Sequence, residues 1–158
     1  MNAMENLISP EKVASQAFAP LDHVTPDDIN PLTISVAQER FIVPVLGEAM
    51  VEAMIGGDYA ELMDKWVAPA LALYTRALML PALALRTGAA GVSKGSNQYL
   101  DAATENELRS LRRTTLAQAT TLLRKAVARI ESAPDNYPEY DARMNIWRRC
   151  RIDGGVVA

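Results

Sequence analysis

The chain has 158 residues, enough for one domain with a core of its own and too few for two comfortable ones. It is 49% hydrophobic and 22% charged, which excludes a wholly disordered chain, and only 6% aromatic, so its core must be built from Ala, Leu, Val, Ile and Met. A net charge of −3 excludes indiscriminate binding to nucleic acid, and a single Cys excludes an internal disulfide and, beside a single His, leaves too few ligands for a self-contained zinc site.

The charge is uneven. Met1 to Met79 carry four Lys/Arg against eleven Asp/Glu, and Leu80 to Ala158 carry twelve against eight. Such polarity suits a subunit that stacks on copies of itself or on a charged neighbour. Met1 to Leu7 contain Glu5 and no apolar run, so no signal peptide is expected.

Ser9-Pro10-Glu11-Lys12 reads as a capped helix start, with the helix running to about Phe18 before Pro20. Thr25-Pro26-Asp27-Asp28 can form one turn. A second helix is expected over Pro31 to Ile42, with Leu32, Val36, Phe41 and Val43 facing inward and Ile34 and Ala37 beside them. Pro44 should end or kink it. A short helix, Glu48 to Ile55, stops at Gly56-Gly57. Asp58 can cap a segment from Tyr59 to Val67, with Pro69 in the first turn of another helix, Ala70 to Arg86.

Trp66 to Leu85 carry one charge, Arg76. The length would just span a bilayer, but Arg76 near its centre would cost about 2.5–3.5 kcal/mol there. A central helix surrounded by the others is the better reading, and no membrane is expected. Residues 87–103 read as one long loop, with Val92 to Leu100 able to form a small hairpin. Thr104-Glu105-Asn106-Glu107 is a capping box opening the longest helix, Glu105 to Glu131. Leu108, Leu111, Thr115, Ala119, Leu122, Ala126 and Ile130 line one side of it, widened by Leu123 and Val127. Pro134 ends it. Asp141 can cap a last short helix, Ala142 to Arg151. No internal repeat stands out.

The reading is all-α: a compact bundle of about four to six helices over residues 1–134 with the long loop 87–103, then a C-terminal tail over 135–158. Catalytic chemistry finds little support. His23 lies in a Pro/Asp loop, and Glu48 and Glu52 share a helix face without further ligands. Cys150 between Arg149 and Arg151 has no nearby base, and the glycine-rich run at 88–96 follows a helix and lacks the Gly-Lys-Ser order of a phosphate loop. No enzyme, cofactor or metal is expected. Two candidate contact sites remain. One is the basic end, Arg143, Met144, Trp147, Arg148, Arg149 and Arg151, rich in the residue types of interface hot spots and equally able to grip phosphate. The other is the loop with Val92, Lys94, Asn97 and Tyr99. A tail helix folded onto its own bundle, with its arginines in water, accounts for the basic end equally well.

The run Ile34-Ser35-Val36-Ala37-Gln38-Glu39-Arg40-Phe41-Ile42-Val43-Pro44-Val45-Leu46-Gly47-Glu48 resembles the small helical phage proteins of the head–tail connector (adaptor) class, in which a helix ends in an aromatic–aliphatic–x–Pro–x–Leu–Gly turn. Trp66-Val67-Ala68-Pro69-Ala70-Leu71-Ala72-Leu73-Tyr74, the Gly/Ser loop, the long helix and Asp135-Asn136-Tyr137-Pro138-Glu139-Tyr140 extend the likeness, which is greatest to connector-like proteins of Bacteroides and their phages. It spans Leu7 to Tyr140.

The resemblance implies a virion structural protein, made in the host cytoplasm and placed in the neck of the particle. It implies a homo-oligomeric ring, commonly of twelve copies, between the portal and the tail or a further ring. DNA would pass through without specific binding. Val92 to Leu100 would then be an inter-subunit or channel-side loop, and Arg143 to Arg151 a tail docking on the acidic portal surface, so that a chain cut after Tyr140 would fold but not bind portal. The alternative is a nucleic-acid-binding helical protein using Arg109, Arg112, Arg113 and the Arg143–Arg151 cluster.

Overall fold

A computed structural model describes residues 5–93 and 105–148, without the side chains of 85–93. Among the described residues the fold is all-α. Lys94, Asn97, Tyr99, Arg149, Cys150 and Arg151 lie outside the described residues.

Helix α1, Pro10–Ala17, begins as its sequence dictates: Ser9 Oγ accepts from Lys12 N, and Pro10 fills the first position, where no donor is needed. Its C-terminal carbonyl at Ala17 accepts from Arg76 Nη1 at 2.8 Å, while the same guanidinium lies over the Phe18 ring. Two single turns follow, Pro20–Asp22 and Pro26–Asp28, the second held by Thr25 N donating to Asp28 Oδ2. His23 closes the first turn, exposed and at φ 51°.

Helix α2, Pro31–Ala37, is not stopped by Pro44 itself. It continues through a π turn, Gln38–Ile42, into α3, Val43–Leu46. A proline has no N–H for the carbonyl four residues back, and its ring collides with that carbonyl. Here the Val43 N–H instead reaches Gln38 O, five residues back, and this widened turn lets the helix run through Pro44. The inward face also differs from the expected stripe. Leu32 and Val36 are 66% and 46% exposed, whereas Ile34, Ala37, Gln38, Ile42, Val45 and Leu46 are buried. Gln38 is inside because it serves the N-terminal segment: its Oε1 accepts from Leu7 N at 2.8 Å and its Nε2 donates to Glu5 O.

After Gly47 comes α4, Glu48–Ile55, then α5, Ala60–Leu62, a second π turn, Met63–Val67, and α6, Ala68–Ser93. The second π turn does for Pro69 what the first does for Pro44: Ala68 N–H bonds Met63 O. Pro69 therefore lies inside one continuous helical run, not at the start of a new helix.

The two turns expose a repeat that the sequence reading missed. Gln38-Glu39-Arg40-Phe41-Ile42-Val43-Pro44-Val45-Leu46 and Met63-Asp64-Lys65-Trp66-Val67-Ala68-Pro69-Ala70-Leu71 share the order acid, base, aromatic, β-branched, small apolar, proline, small apolar, leucine. Each base sits over its neighbouring aromatic, Arg40 over Phe41 at 5.3 Å and Lys65 over Trp66 at 5.4 Å. In both copies the acid and base are exposed and the last two residues buried.

Helix α6 is the axis of the bundle and packs on α7, α1 and α2. Ala68, Ala70, Leu71, Ala72, Tyr74, Thr75, Ala77, Met79 and Leu80 are all buried. Many are alanines, which let neighbouring helices come close. Thr75 satisfies its hydroxyl on Leu71 O, and the Tyr74 ring stacks on Phe41 at 4.3 Å while its hydroxyl meets Thr120 Oγ1. Residues Ala60–Ala84 are long and apolar enough to cross a membrane by length and composition, yet more than half of the window lies inside the bundle.

The helix also takes in the start of the expected loop. Residues 87–93 are helical, so Val92 belongs to α6 and not to a hairpin. Helix α7, Glu105–Ser132, is 28 residues, about 42 Å at 1.5 Å per residue. Thr115, Ala119, Leu123, Ala126, Val127 and Ile130 are buried against α6 and the second π turn, but the first turns are not: Leu111 is 42% exposed and Leu108 half-buried.

Candidate interaction site

Beyond Ser132 the chain makes a turn, Pro134–Asn136, and then folds back over the bundle. Tyr137, Tyr140 and Trp147 are half-buried against the core, so residues 135–148 are a strap on the bundle. Tyr59 anchors it. Its hydroxyl donates to the Glu139 carboxylate, and its ring meets that of Tyr137 at 5.0 Å. The bond to Glu139 pushes the Tyr59 phenol up to about 12.

Further on, Tyr140 donates to Glu131 Oε1 and accepts from Asn145 Nδ2 at 2.9 Å. Burial is the main cause raising the Tyr140 phenol. Asn145 is 1% exposed, and its Oδ1 accepts from Trp147 N, starting a helical turn at Ile146. The cap is thus Asn145 and not Asp141.

The basic end is less free than its composition suggested. Arg143 grips Asp141 with Nε and Nη2, an arrangement that holds the Asp141 carboxyl below its ordinary range. Arg148 pairs with Glu131 at 2.8 Å, which raises the guanidinium further. Trp147 lies under the Arg124 guanidinium at 5.6 Å. Among the predicted contact residues described, Met144 is 56% exposed. In the first turns of α7, Arg109 pairs with Glu105 one turn earlier.

Two grooves flank the strap. The first, about 320 Å³, lies between the second π turn and α7 and is lined by Lys65, Trp66, Lys125, Arg129, Tyr137 and Glu61. Lys65 and Lys125 both hold their ammonium groups over the Trp66 ring, at 5.4 and 5.2 Å. Neither they nor Arg129 form an ion pair among the described residues. The second groove, about 510 Å³, has an apolar floor of Val43, Pro44, Met144 and Ile146 and an acidic rim of Glu48 and Glu139.

Sequence reasoning missed the first groove because its cations come from distant segments. The only available signal was the repeated acid–base–aromatic–proline motif that places Lys65 beside Trp66. Glu48 and Glu52 stand exposed on α4, as expected for a solvated acidic face. No group of three or more metal-ligating side chains stands together among the described residues.

Neither a curated protein nor a solved structure matches the chain. Residues 36–146 match the family described as a family of unknown function, DUF6712, an interval running from just before the first π turn to the wall of the second groove. That interval covers well over half of the chain and both grooves, and the protein therefore belongs to the DUF6712 family.

Proposed function

We propose that this protein is a structural subunit of a phage particle, a head–tail connector that forms a ring between the portal and the tail. A subunit in that position needs separate surfaces for two lateral neighbours, the portal above and the tail below. The observation that carries the reading is the distribution of exposed large apolar side chains. Leu21, Leu32 and Val36, Leu111, and Met144 and Ile146 are exposed on four different elements, so apolar contact points are offered from several parts of the chain. The resemblance of residues 34–48 and 66–74 to connector proteins supplies the class of assembly. Individually weak contacts would keep free subunits soluble, and a portal ring presenting many sites at once would make them sufficient through effective concentration.

Light scattering on the purified chain, alone and mixed with its cognate portal ring, tests the proposal. The expected result is a complex of fixed stoichiometry, near twelve copies per ring. A monomer indifferent to portal at near-physiological salt overturns it and brings salt-sensitive DNA binding forward as the reading to test.

A further inference from the structure

We propose that the groove formed by Lys65, Trp66, Lys125 and Arg129 is the seat of helix α4 from a second copy of this chain. Glu48 and Glu52 of that copy would meet Lys125 and Arg129. The inference deepens the connector reading and rests on it for the closure of this contact into a ring.

The first argument is the state of the cations. Lys65, Lys125 and Arg129 converge on one groove with no ion pair of their own. Both lysines already rest over the Trp66 indole, so less side-chain freedom remains to be lost when an anion arrives. Both ammonium groups lie over the Trp66 ring, so a nucleobase would have to displace them to stack there. Discrete carboxylates on a protein surface fit better.

The second argument is spacing. Lys125 and Arg129 are one helical turn apart on α7, and Glu48 and Glu52 are one turn apart on α4, so two charge pairs can form in register. The third is shape. Helix α4 reads Glu-Ala-Met-Val-Glu-Ala-Met-Ile, with the methionines and Val51 buried and Glu48, Ala49 and Glu52 outside. Its outer face is two carboxylates beside an alanine ridge. On α7, Ala128 is exposed between the two cations, leaving room for that ridge. Glu48 and Glu52 have no cation of their own among the described residues. The pairing joins two different patches, so it repeats head to tail and closes into a ring when the rotation per subunit allows.

Sedimentation velocity at high protein concentration and low salt, on the full chain without portal, is the test. Wild-type chain should self-associate. The double variants E48K/E52K and K125E/R129E, which alter only exposed positions, should each stay folded by circular dichroism and lose about tenfold or more in association. An equimolar mixture of the two should recover association, with the variants alternating in equal number, because every junction between unlike variants then pairs opposite charges. Monomeric wild type under all low-salt conditions, undiminished association of either variant, or a mixture that fails to recover would each overturn the proposal. Portal binding is read separately. Variants that load onto portal with unchanged copy number would overturn this interface and leave the connector reading standing. Chains that pair by charge but ignore portal would do the reverse.

Discussion

Tyr59 shows how one residue fixes a surface. It sits at φ 59°, a backbone conformation that costs a non-glycine residue about 1–2 kcal/mol, so something must hold it there. Its hydroxyl bond to Glu139 and its ring contact with Tyr137 do so, and in turn hold the strap that separates the two grooves. The phenol ionises at about 12, against an ordinary value of 10, so the neutral form is the one the fold favours. The stability linked to this group is therefore complete below pH 10 and is lost as the pH rises from 10 through 12. An alkaline titration followed by phenolate absorbance should show a step near 12 that disappears in Tyr59→Phe. Persistence of the step in the variant would mean that another tyrosine carries it. Gln38 plays a comparable part at the other end of the bundle. It is a polar side chain placed in the core because it satisfies Leu7 N–H and Glu5 C=O, a purpose that local sequence patterning has no means of signalling.

The two π turns decide what the helices can do. In each, the residue two places after the turn is proline, and in each the bond from i to i−5 removes the collision that would break an α-helix. Pro44→Ala and Pro69→Ala should therefore each change stability by less than about 1 kcal/mol in urea unfolding, well short of the roughly 3 kcal/mol that an unrelieved interior proline costs. A gain near the larger figure would show that the turns do not relieve the strain. Helix existence, the cap at Ser9, the end of α4 and most of α7 were legible, because they depend on residues close in sequence. The inward face of 31–46 was not. A π turn shifts the helical phase midway, so a stripe drawn at a constant 100° per residue places Leu32 and Val36 inside when they lie outside. The same assumption hid the repeat: a proline read as a helix boundary conceals that two segments share one fold. The basic groove was illegible for a different reason. Lys65, Lys125 and Tyr137 meet only through packing of α6 on α7 and the return of the strap.

At the scale of the whole molecule the question is what the C-terminal end contributes. Cutting after Tyr140 removes more than a docking tail. Asn145 is buried and bonded to Tyr140, Trp147 covers part of the core, and Arg148 pairs with Glu131. Losing a half-buried tryptophan and a satisfied buried amide should cost about 2–4 kcal/mol, visible as a lower urea midpoint. Failure of such a chain to bind portal would then follow from a damaged fold as readily as from a missing contact. A cut after Arg148 separates the two roles, because every contact just named is retained. That shorter deletion should leave the urea midpoint unchanged, while removing Arg149 and Arg151, the two arginines of the basic cluster that lie beyond it. If portal binding then falls, docking resides in the last ten residues. If binding is unchanged, it resides on residues 5–148, where exposed Met144 and Ile146 beside the acidic rim of the second groove are the first to substitute.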